Sequence, residues 1–496
     1  MITWGISANS HDASLAVVSG TGVEFASHSE RFSGVKNDPH LNTQLIDYAR
    51  QYGDPDEIIW YERPFRKTIR QLRAGQGWNH RENNIKNYLR SYGLISPIKY
   101  VSHHHSHAAA GYFTSPFDNA TIVCIDSIGE NETFTVWEGR GQKLKKRFSQ
   151  GYPNSIGLWY SAMTQRIGLK PNEDEYILMG MAAYGDHNKY YADIMNDMFI
   201  KMPSRNGLTV KFKHNLHRGC KWWKPELTSE QDMFDIAAAT QKIYEVLFER
   251  IVRITSATYQ SKNLVLMGGC ALNCSANSIA QKFYNNVWIM PNPGDAGSCI
   301  GASQMFFKER INWKTAYLGH MIEGTYPVEK SLEALLDGEI IGIANGRAEF
   351  GPRALGNRTL TADPRGDTIK DRMNEIKRRQ KFRPFAPMIL EEDVHDYFDM
   401  PENITQSPYM QFVAKCKYPE KFPAIIHKDG TSRVQTVNKE THPGLYELLT
   451  KFKEKTGCPI LVNTSLNIKG QPIVNDLKDA EDFSKHYGIK VFTTDE

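Results

Sequence analysis

The chain is 496 residues long, with 60 Lys+Arg against 56 Asp+Glu and a formal net charge of +4. That length suits about three domain-sized units with sizeable cores, and 11% aromatics with ordinary Gly and Pro usage exclude fibrous and disordered classes. No apolar run approaches the ~18 residues of a membrane span, the first residues lack the n- and h-regions of a secretory signal, and seven scattered cysteines without Cys-x-x-Cys suit a reduced cytoplasm better than disulfides or a Cys zinc site.

In chain order, residues 2–6 read as a strand, residues 7–12 as a polar loop, and residues 14–18 and 23–26 as strands joined at the turn Ser19-Gly20-Thr21-Gly22. The same grammar returns at residues 121–125, a strand ending in Asp126, with a polar loop to Glu130. A strand over residues 133–137 then runs into the turn Glu138-Gly139-Arg140-Gly141. The repeat suggests a duplicated α/β domain of the kind actin-like ATPases have; two unrelated hairpins are the plainer alternative. A strand over residues 264–267, the pair Gly268-Gly269 and a helix over residues 270–280 form a third unit. Glycines there let a ligand approach the backbone at a helix N-terminus. Residues 317–326 lapse into Gly and polar residues and read as a linker. A helix from Val328 and a strand over residues 339–344 open a second domain that runs to Glu496.

The sharpest local feature is Ser102-His103-His104-His105-Ser106-His107-Ala108-Ala109-Ala110. Ser102 is a plausible N-cap and the alanines favour helix. His103 and His107 are then i and i+4 on one face, the spacing that lets two imidazoles share a metal. Asp126 ends the next strand and Asp295 sits in the glycine-bracketed loop Pro293-Gly294-Asp295-Ala296-Gly297. Two His and two Asp suit a divalent iron, manganese or zinc ion; solvated histidines at a polar helix start are the alternative.

The second domain interleaves arginines with glycines at Gly346-Arg347-Ala348-Glu349-Phe350-Gly351-Pro352-Arg353-Ala354-Leu355-Gly356-Asn357-Arg358. Asn374, Lys377, Arg378, Arg379, Lys381, Arg383, Arg433 and Asn463-Thr464-Ser465 follow. Arginine forks suit carboxylate and phosphate groups, so this domain looks built for polyanionic small molecules rather than for a solvated surface.

These stretches join others along the chain: Gly5-Ile6-Ser7 with His11-Asp12, Ser29-Glu30-Arg31-Phe32, Met179-Gly180-Met181-Ala182-Ala183-Tyr184-Gly185, Gly268-Gly269-Cys270-Ala271-Leu272-Asn273, and residues 382–387, 433–437 and 463–467. In this order, and over nearly the whole chain, they resemble the O-carbamoyltransferases of the nodulation-factor, cephamycin and tobramycin type. The resemblance implies an α/β chain with a duplicated actin-like (ASKHA, RNase H-like) domain over residues 1–318. A YrdC-like twisted-sheet domain over residues 327–496 follows it. It implies that the YrdC-like domain takes carbamoyl phosphate and Mg-ATP to carbamoyl-adenylate and pyrophosphate, using Arg353, Lys377, Arg383, Arg433, Asn463 and Ser465. The carbamoyl group then passes to an acceptor hydroxyl in the ASKHA domain, aided by Fe(2+) or another divalent ion on His103, His107, Asp126 and Asp295. Gly268, Gly269 and Asn273 would meet the nucleotide there, and His11 or Asp12 would take the hydroxyl's proton. Ile177 departs from the lysine the family carries at that place, and residues 317–339 are shorter than in many members.

For the acceptor, charge is the guide. Residues 61–92 hold Arg63, Arg66, Lys67, Arg70, Arg73, Arg81, Lys86 and Arg90 against Glu62 and Glu82, interleaved with Tyr61, Phe65, Trp78, Tyr88 and Tyr92. Residues 201–224 carry Lys201, Arg205, Lys211, Lys213, Arg218, Lys221 and Lys224, no acid, and Trp222-Trp223; Lys143, Lys145, Lys146 and Arg147 form a third tract. Basic residues among aromatics suit phosphates and stacked bases, so a nucleic acid or nucleotide with a hydroxymethylated pyrimidine competes with a sugar-bearing metabolite as acceptor. Solvated faces are the plainer explanation of such tracts. A nucleic-acid-binding ATPase and a threonylcarbamoyl-type tRNA enzyme are the rival functions. HypF-like maturation is weaker, since its acylphosphatase segment and Cys zinc modules are missing from this sequence.

Overall fold

The N-terminal alternation folds as an antiparallel meander of three strands, Ile2–Ser7, Ser14–Ser19 and Gly22–His28, in which Ile2 faces Ser19 and Ser14 faces His28. Gly20 makes the expected hairpin turn at φ 57°. These are observations from a computed structural model that describes residues 1–200, 207–401 and 404–496. The chain packs as two compact units, residues 1–56 with 312–496, and residues 57–311.

In the first unit the C-terminal part is built on a six-stranded mixed sheet. Its order is Gln435–Val437, Ala386–Leu390, Ile460–Ser465, Arg358–Thr361, Ile341–Ala344 and Val491–Phe492. Ile341, Ile343, Leu360, Met388, Ile389, Leu461 and Val462 bury its apolar face in one core with Leu445, Leu448, Leu449 and Phe452 of the helix Pro443–Thr456. The residues read as a linker are corrected here. Tyr317–Ile322 is a strand, paired antiparallel with Gly346–Glu349. Its partner lies about 25 residues further along the chain, and Leu318 and Ile322 are buried in the paired strand.

The second unit repeats the meander on a larger scale. Asn119–Gly129, Glu132–Arg140 and Lys143–Gly151 run antiparallel, and Asn263–Met267 and Asn286–Trp288 extend the sheet in parallel. Glu57–Trp60 and Ile98–Tyr100 pair in parallel. The strands expected over residues 121–125, 133–137 and 264–267 are all present. The helix expected over residues 270–280 is broken into a 3-10 turn, Gly269–Leu272, a short helix, Cys274–Asn277, and a second 3-10 turn, Ser278–Lys282. Asn273 explains the break: its side chain accepts the Ala276 N–H at 3.1 Å and restarts the helix. The helix Glu230–Thr258 opens on a capping box of Ser229 and Asp232 and lines the unit. Among the described residues no helix is long and apolar enough to cross a membrane.

Candidate functional site

The helix His103–Thr114 carries the histidine cluster, and its neighbours decide which rings do what. His103 and His107 bring their Nε2 atoms to 3.1 Å of each other. His103 Nε2 lies 3.3 Å from both Asp126 Oδ2 and Asp295 Oδ1, and His107 Nε2 lies 3.3 Å from Asp295 Oδ1 and 3.8 Å from Asp126 Oδ2. Metal bonds of about 2.1 Å put adjacent ligands roughly 3.0–3.4 Å apart, so these four donors span the edges of a coordination shell. Three of the four residues are buried and Asp295 is partly open. Two imidazole nitrogens at 3.1 Å repel unless a proton or a cation lies between them, so the donor set fits a divalent ion. Burial works against charge on His103, yet Asp295 and Asp126 outweigh it and hold the imidazole well above its ordinary range. Burial likewise disfavours charge on Asp126, yet the two histidines hold its carboxyl well below its usual range. His104 and His105 behave oppositely: burial pushes them down to about 3 and about 4. The string thus divides into two rings facing acids and two neutral packing rings.

The surroundings fix that geometry. His107 Nδ1 lies 3.1 Å from the Ser298 hydroxyl; with Nδ1–H donating there, Nε2 keeps its lone pair toward the cluster. Asp126 Oδ1 accepts the Gly269 N–H at 3.2 Å. Ser102 occupies the N-cap, but its hydroxyl makes no capping bond. The cap is Glu130, whose Oε1 accepts the His103 N–H at 3.2 Å and the Arg63 N–H at 2.7 Å. Gly129 is required beside it, because a Cβ there would stand 2.0 Å from His103 Cδ2. Gly268 is held at φ 87° with its Cβ position 2.2 Å from Ile125 O, and the Asn273 amide exchanges hydrogen bonds with Gln241 at 2.9 and 3.1 Å. The residues Gly268, Gly269 and Asn273 therefore have structural duties at the edge of the metal cluster.

In the first unit, Lys377 Nζ donates to Ser465 O at 2.6 Å, Ser465 Oγ at 3.1 Å and Asn467 Oδ1 at 2.6 Å. Burial, with Arg379, Arg383 and Lys36 nearby, pushes the Lys377 amine well below its ordinary range. Asn463 donates to Ala354 O, next to Arg353, and to Gln435 Oε1, two residues past Arg433. The six residues expected to bind anions thus share one neighbourhood. Arg358 is different. It is fully buried and its guanidinium is spent on five backbone carbonyls, of Asn345, Asn357, His320, Gly346 and Asn475. Arg347 is likewise spent on Leu318 O and Glu24 O. His11 and Asp12 also belong to this unit. Asp12, in the left-handed region at φ 58°, lies with Oδ1 2.8 Å from His28 Nδ1; burial raises its carboxyl, but His28, His11 and Lys36 bring it below its ordinary value.

Residues 62–304 match the family described as Carbamoyltransferase N-terminus, and residues 332–496 match Carbamoyltransferase C-terminus. The chain belongs to the carbamoyltransferase family. An uncharacterized protein of Synechocystis sp. is 34% identical over 96% of this chain and 93% of its own length. The nodulation protein NolNO of Sinorhizobium fredii is 31% identical over 95% of this chain and 76% of its own length. The 3'-hydroxymethylcephem-O-carbamoyltransferase of Amycolatopsis lactamdurans is 27% identical over 97% of this chain and 95% of its own length. Among solved structures, full-length HypF aligns with a TM-score of 0.39 at 11% identity, over 62% of this chain and 46% of HypF. The protein is a carbamoyl-transferring enzyme with a mixed α/β fold.

The basic tracts of this carbamoyltransferase are only partly solvated faces. Lys67 is buried on Glu62 at 2.6 Å, and Arg70 is buried with Nε on Glu130 O at 3.2 Å. Arg63, Arg66, Arg73, Arg81, Lys86 and Arg90 are exposed, as are Phe65 and Trp78. Residues 201–206 of the second tract lie outside the described residues. Within the remainder Trp223 is buried while Trp222 is exposed, and Lys224 pairs with Asp193 at 2.7 Å. Gln76 and His217 meet at 3.5 Å, so the first two tracts converge. In the third tract Lys146 pairs with Glu132 at 2.6 Å and Arg147 with Glu138 within their own sheet, while Lys143 and Lys145 are exposed. Sequence reasoning missed Glu130, Gly129 and Ser298. The polar loop expected after Asp126 is strand as far as Gly129, and Glu130 follows it.

Proposed function

We propose that the chain is an ATP-dependent O-carbamoyltransferase that forms carbamoyl-adenylate from carbamoyl phosphate and Mg-ATP and passes the carbamoyl group to an acceptor hydroxyl. The convergence of His103, His107, Asp126 and Asp295 carries this reading, because it supplies a cation site that a simple anion-binding protein has no use for. We assign adenylate formation to a YrdC-like domain over residues 327–496 and transfer to an actin-like domain over residues 1–318. Water cleaves carbamoyl phosphate to carbamate and phosphate, and a carbamate oxygen then attacks the α-phosphorus of ATP, forming the carbamoyl–adenylate bond as the bond to pyrophosphate breaks. Arg353, Arg383 and Arg433 would hold phosphate groups, with Lys377, Asn463 and Ser465 shaping the floor beneath them. A divalent ion on the His-Asp cluster, taken as Fe(2+), would polarise the carbamoyl oxygen as a Lewis acid. His11 would take the acceptor hydroxyl's proton in preference to Asp12, whose carboxyl His28 holds below its ordinary range against the effect of burial. Gly268, Gly269 and Asn273 border the nucleotide moiety in this reading.

A hydroxylated metabolite is the default acceptor. Exposed arginines and the exposed Trp78 and Trp222, on two tracts that meet at Gln76 and His217, favour a second acceptor class, a nucleic acid or nucleotide bearing a hydroxymethylpyrimidine. The cytoplasm suits both. The test is mass spectrometry of candidate acceptors after incubation with ferrous iron, Mg-ATP and carbamoyl phosphate, with pyrophosphate measured in parallel. His103→Ala is expected to abolish transfer and keep pyrophosphate release, and Arg433→Ala to stop pyrophosphate release. If His103→Ala also stops release, the assignment of roles fails. A carbamoyl mass gain on an oligonucleotide base selects the second acceptor class; no gain there, with release intact, selects small metabolites.

A further inference from the structure

Arg31 lies in the short helix Glu30–Ser33 and is 4% exposed. Its Nη2 donates to Gly351 O at 3.2 Å, but Nε and Nη1 have no hydrogen-bonding partner among the described residues. Glu30 does not serve them: its Oε1 stands 4.0 Å from Nε, and its carboxylate is taken by Lys36 Nζ at 2.9 Å and the Asn37 N–H at 2.8 Å. Two residues before Gly351, Glu349 is 3% exposed. Its Oε1 accepts the N–H groups of Leu355, Asn357 and Arg358 at 2.7, 2.8 and 3.2 Å, while Oε2 has no hydrogen-bonding partner among the described residues. Glu349 acts electrostatically on the Arg31 guanidinium. Arg31 is thus tied to the chain two residues from Glu349, and both side chains keep buried polar atoms without a partner among the described residues.

The chemistry of a partner follows from that pairing. Arg31 and Arg358 are offset by the carboxylates of Glu30, Glu349, Asp12 and Asp476, so a free anion gains little net attraction here. A second guanidinium or amine would be repelled by Arg31. A neutral planar carboxamide satisfies both sides, its C=O accepting from Arg31 and its NH2 donating to Glu349. We propose that Arg31 and Glu349 form a binding site for the carbamoyl group itself, Arg31 Nε and Nη1 holding the oxygen and Glu349 Oε2 holding the amide. This rests on the reading that a carbamoyl group is activated in the chain. It gives a role to the Ser29-Glu30-Arg31-Phe32 stretch, and it makes the site a filter for nitrogen: an acyl group with CH3 in place of NH2 leaves Glu349 Oε2 unpaired, a deficit that polar sites punish strongly.

The test uses the full chain with Mg-ATP and compares pyrophosphate release with carbamoyl phosphate and with acetyl phosphate. The wild type is expected to prefer carbamoyl phosphate in kcat/KM. Arg31→Lys, which keeps the charge and loses the fork, and Glu349→Gln, which turns the free acceptor into a donor, are each expected to lose about tenfold or more of that preference. An equal fall with both phosphates, or an unchanged ratio, overturns the proposal in favour of a structural role. No carbamoyl-phosphate-dependent release by the wild type would instead overturn the proposed function itself. Should a variant not fold, a crystal of the wild type with carbamoyl phosphate and Mg-ATP decides the matter. A planar carboxamide between Arg31 and Glu349 supports the site, and ordered water alone there overturns it.

Discussion

Glu130 Oε1 accepts two backbone N–H groups, from Arg63 and His103, and so fastens the starts of the helices Pro64–Arg73 and His103–Thr114 to one buried carboxylate. The first of these helices presents Arg66 and Phe65 to solvent, and the second carries two of the four candidate metal ligands. Removing the carboxylate leaves two donors to find water at a buried cap, at a cost of about 1–3 kcal/mol for each one that fails. Glu130→Ala is therefore expected to lower stability by about 2 kcal/mol or more and to weaken metal binding by roughly 10–100-fold, the range for losing an outer-shell partner. Glu130→Gln keeps an acceptor oxygen and is expected to restore most of both. Metal titration with thermal unfolding checks this; equal metal affinity in all three proteins would show that the cap does not orient His103. His103, His107, Asp126 and Asp295 were legible because their spacing and glycine-flanked loop are local patterns. Glu130 was not singled out, because its partners lie 67 and 27 residues away and no local pattern announces them.

The helices His103–Thr114 and Ser298–Phe307 cross where Gly301 faces Ser106 and Ala110. A Cβ on Gly301 would stand 1.9 Å from Ser106 O and 2.6 Å from the Ala110 nitrogen, backbone atoms that cannot turn aside. In an open helix Gly→Ala stabilises by roughly 0.5–1 kcal/mol; here overpacking, typically about 1–3 kcal/mol, opposes it and wins. Gly301→Ala is thus expected to lower the melting temperature and the metal content of the purified protein, since the second helix follows Asp295 and supplies Ser298. A rise in melting temperature would mean that the helices separate freely. This crossing explains what the sequence could and could not yield at this scale. The strands within residues 2–28 and 119–140 were legible from alternation and turn glycines, whereas Lys143–Gly151 was read only as a basic tract because its lysines mask the alternation. The strand Tyr317–Ile322 was missed because its pairing is non-local, and the helix after Gly268 was overextended because Asn273 caps within it.

At the scale of the whole molecule, each compact unit keeps a fully buried neutral histidine whose protonation the fold resists. In the first unit burial pushes His442 down to about 4. Its Nδ1 accepts the Leu445 N–H at 3.0 Å, capping the helix Pro443–Thr456, and its Nε2 meets Asn357 Oδ1 at 2.9 Å. A proton on Nδ1 must displace Leu445 and uncap the helix. In the second unit burial pushes His104 down to about 3, with Nδ1 2.9 Å from the Thr135 hydroxyl. Both folded-state values lie below the unfolded value of about 6.5. The unfolded chain therefore binds more protons between these values, and stability present above about pH 6.5 is lost as pH falls toward 4. For His442 alone the limit is about 3 kcal/mol, at 1.36 kcal/mol for each pH unit. Calorimetry at pH 7.5, 6 and 5 is expected to show a falling melting temperature, and His442→Asn, which can still cap but does not titrate, is expected to lose less. The sign separates this effect from the metal cluster, where His103 lies above its ordinary range and gains protons on folding in metal-free protein. Protons and a cation compete for those rings, so acid also releases the metal. In protein stripped of metal, the same fall in melting temperature for His442→Asn as for the wild type would show that His442 accepts a proton in the folded state without strain.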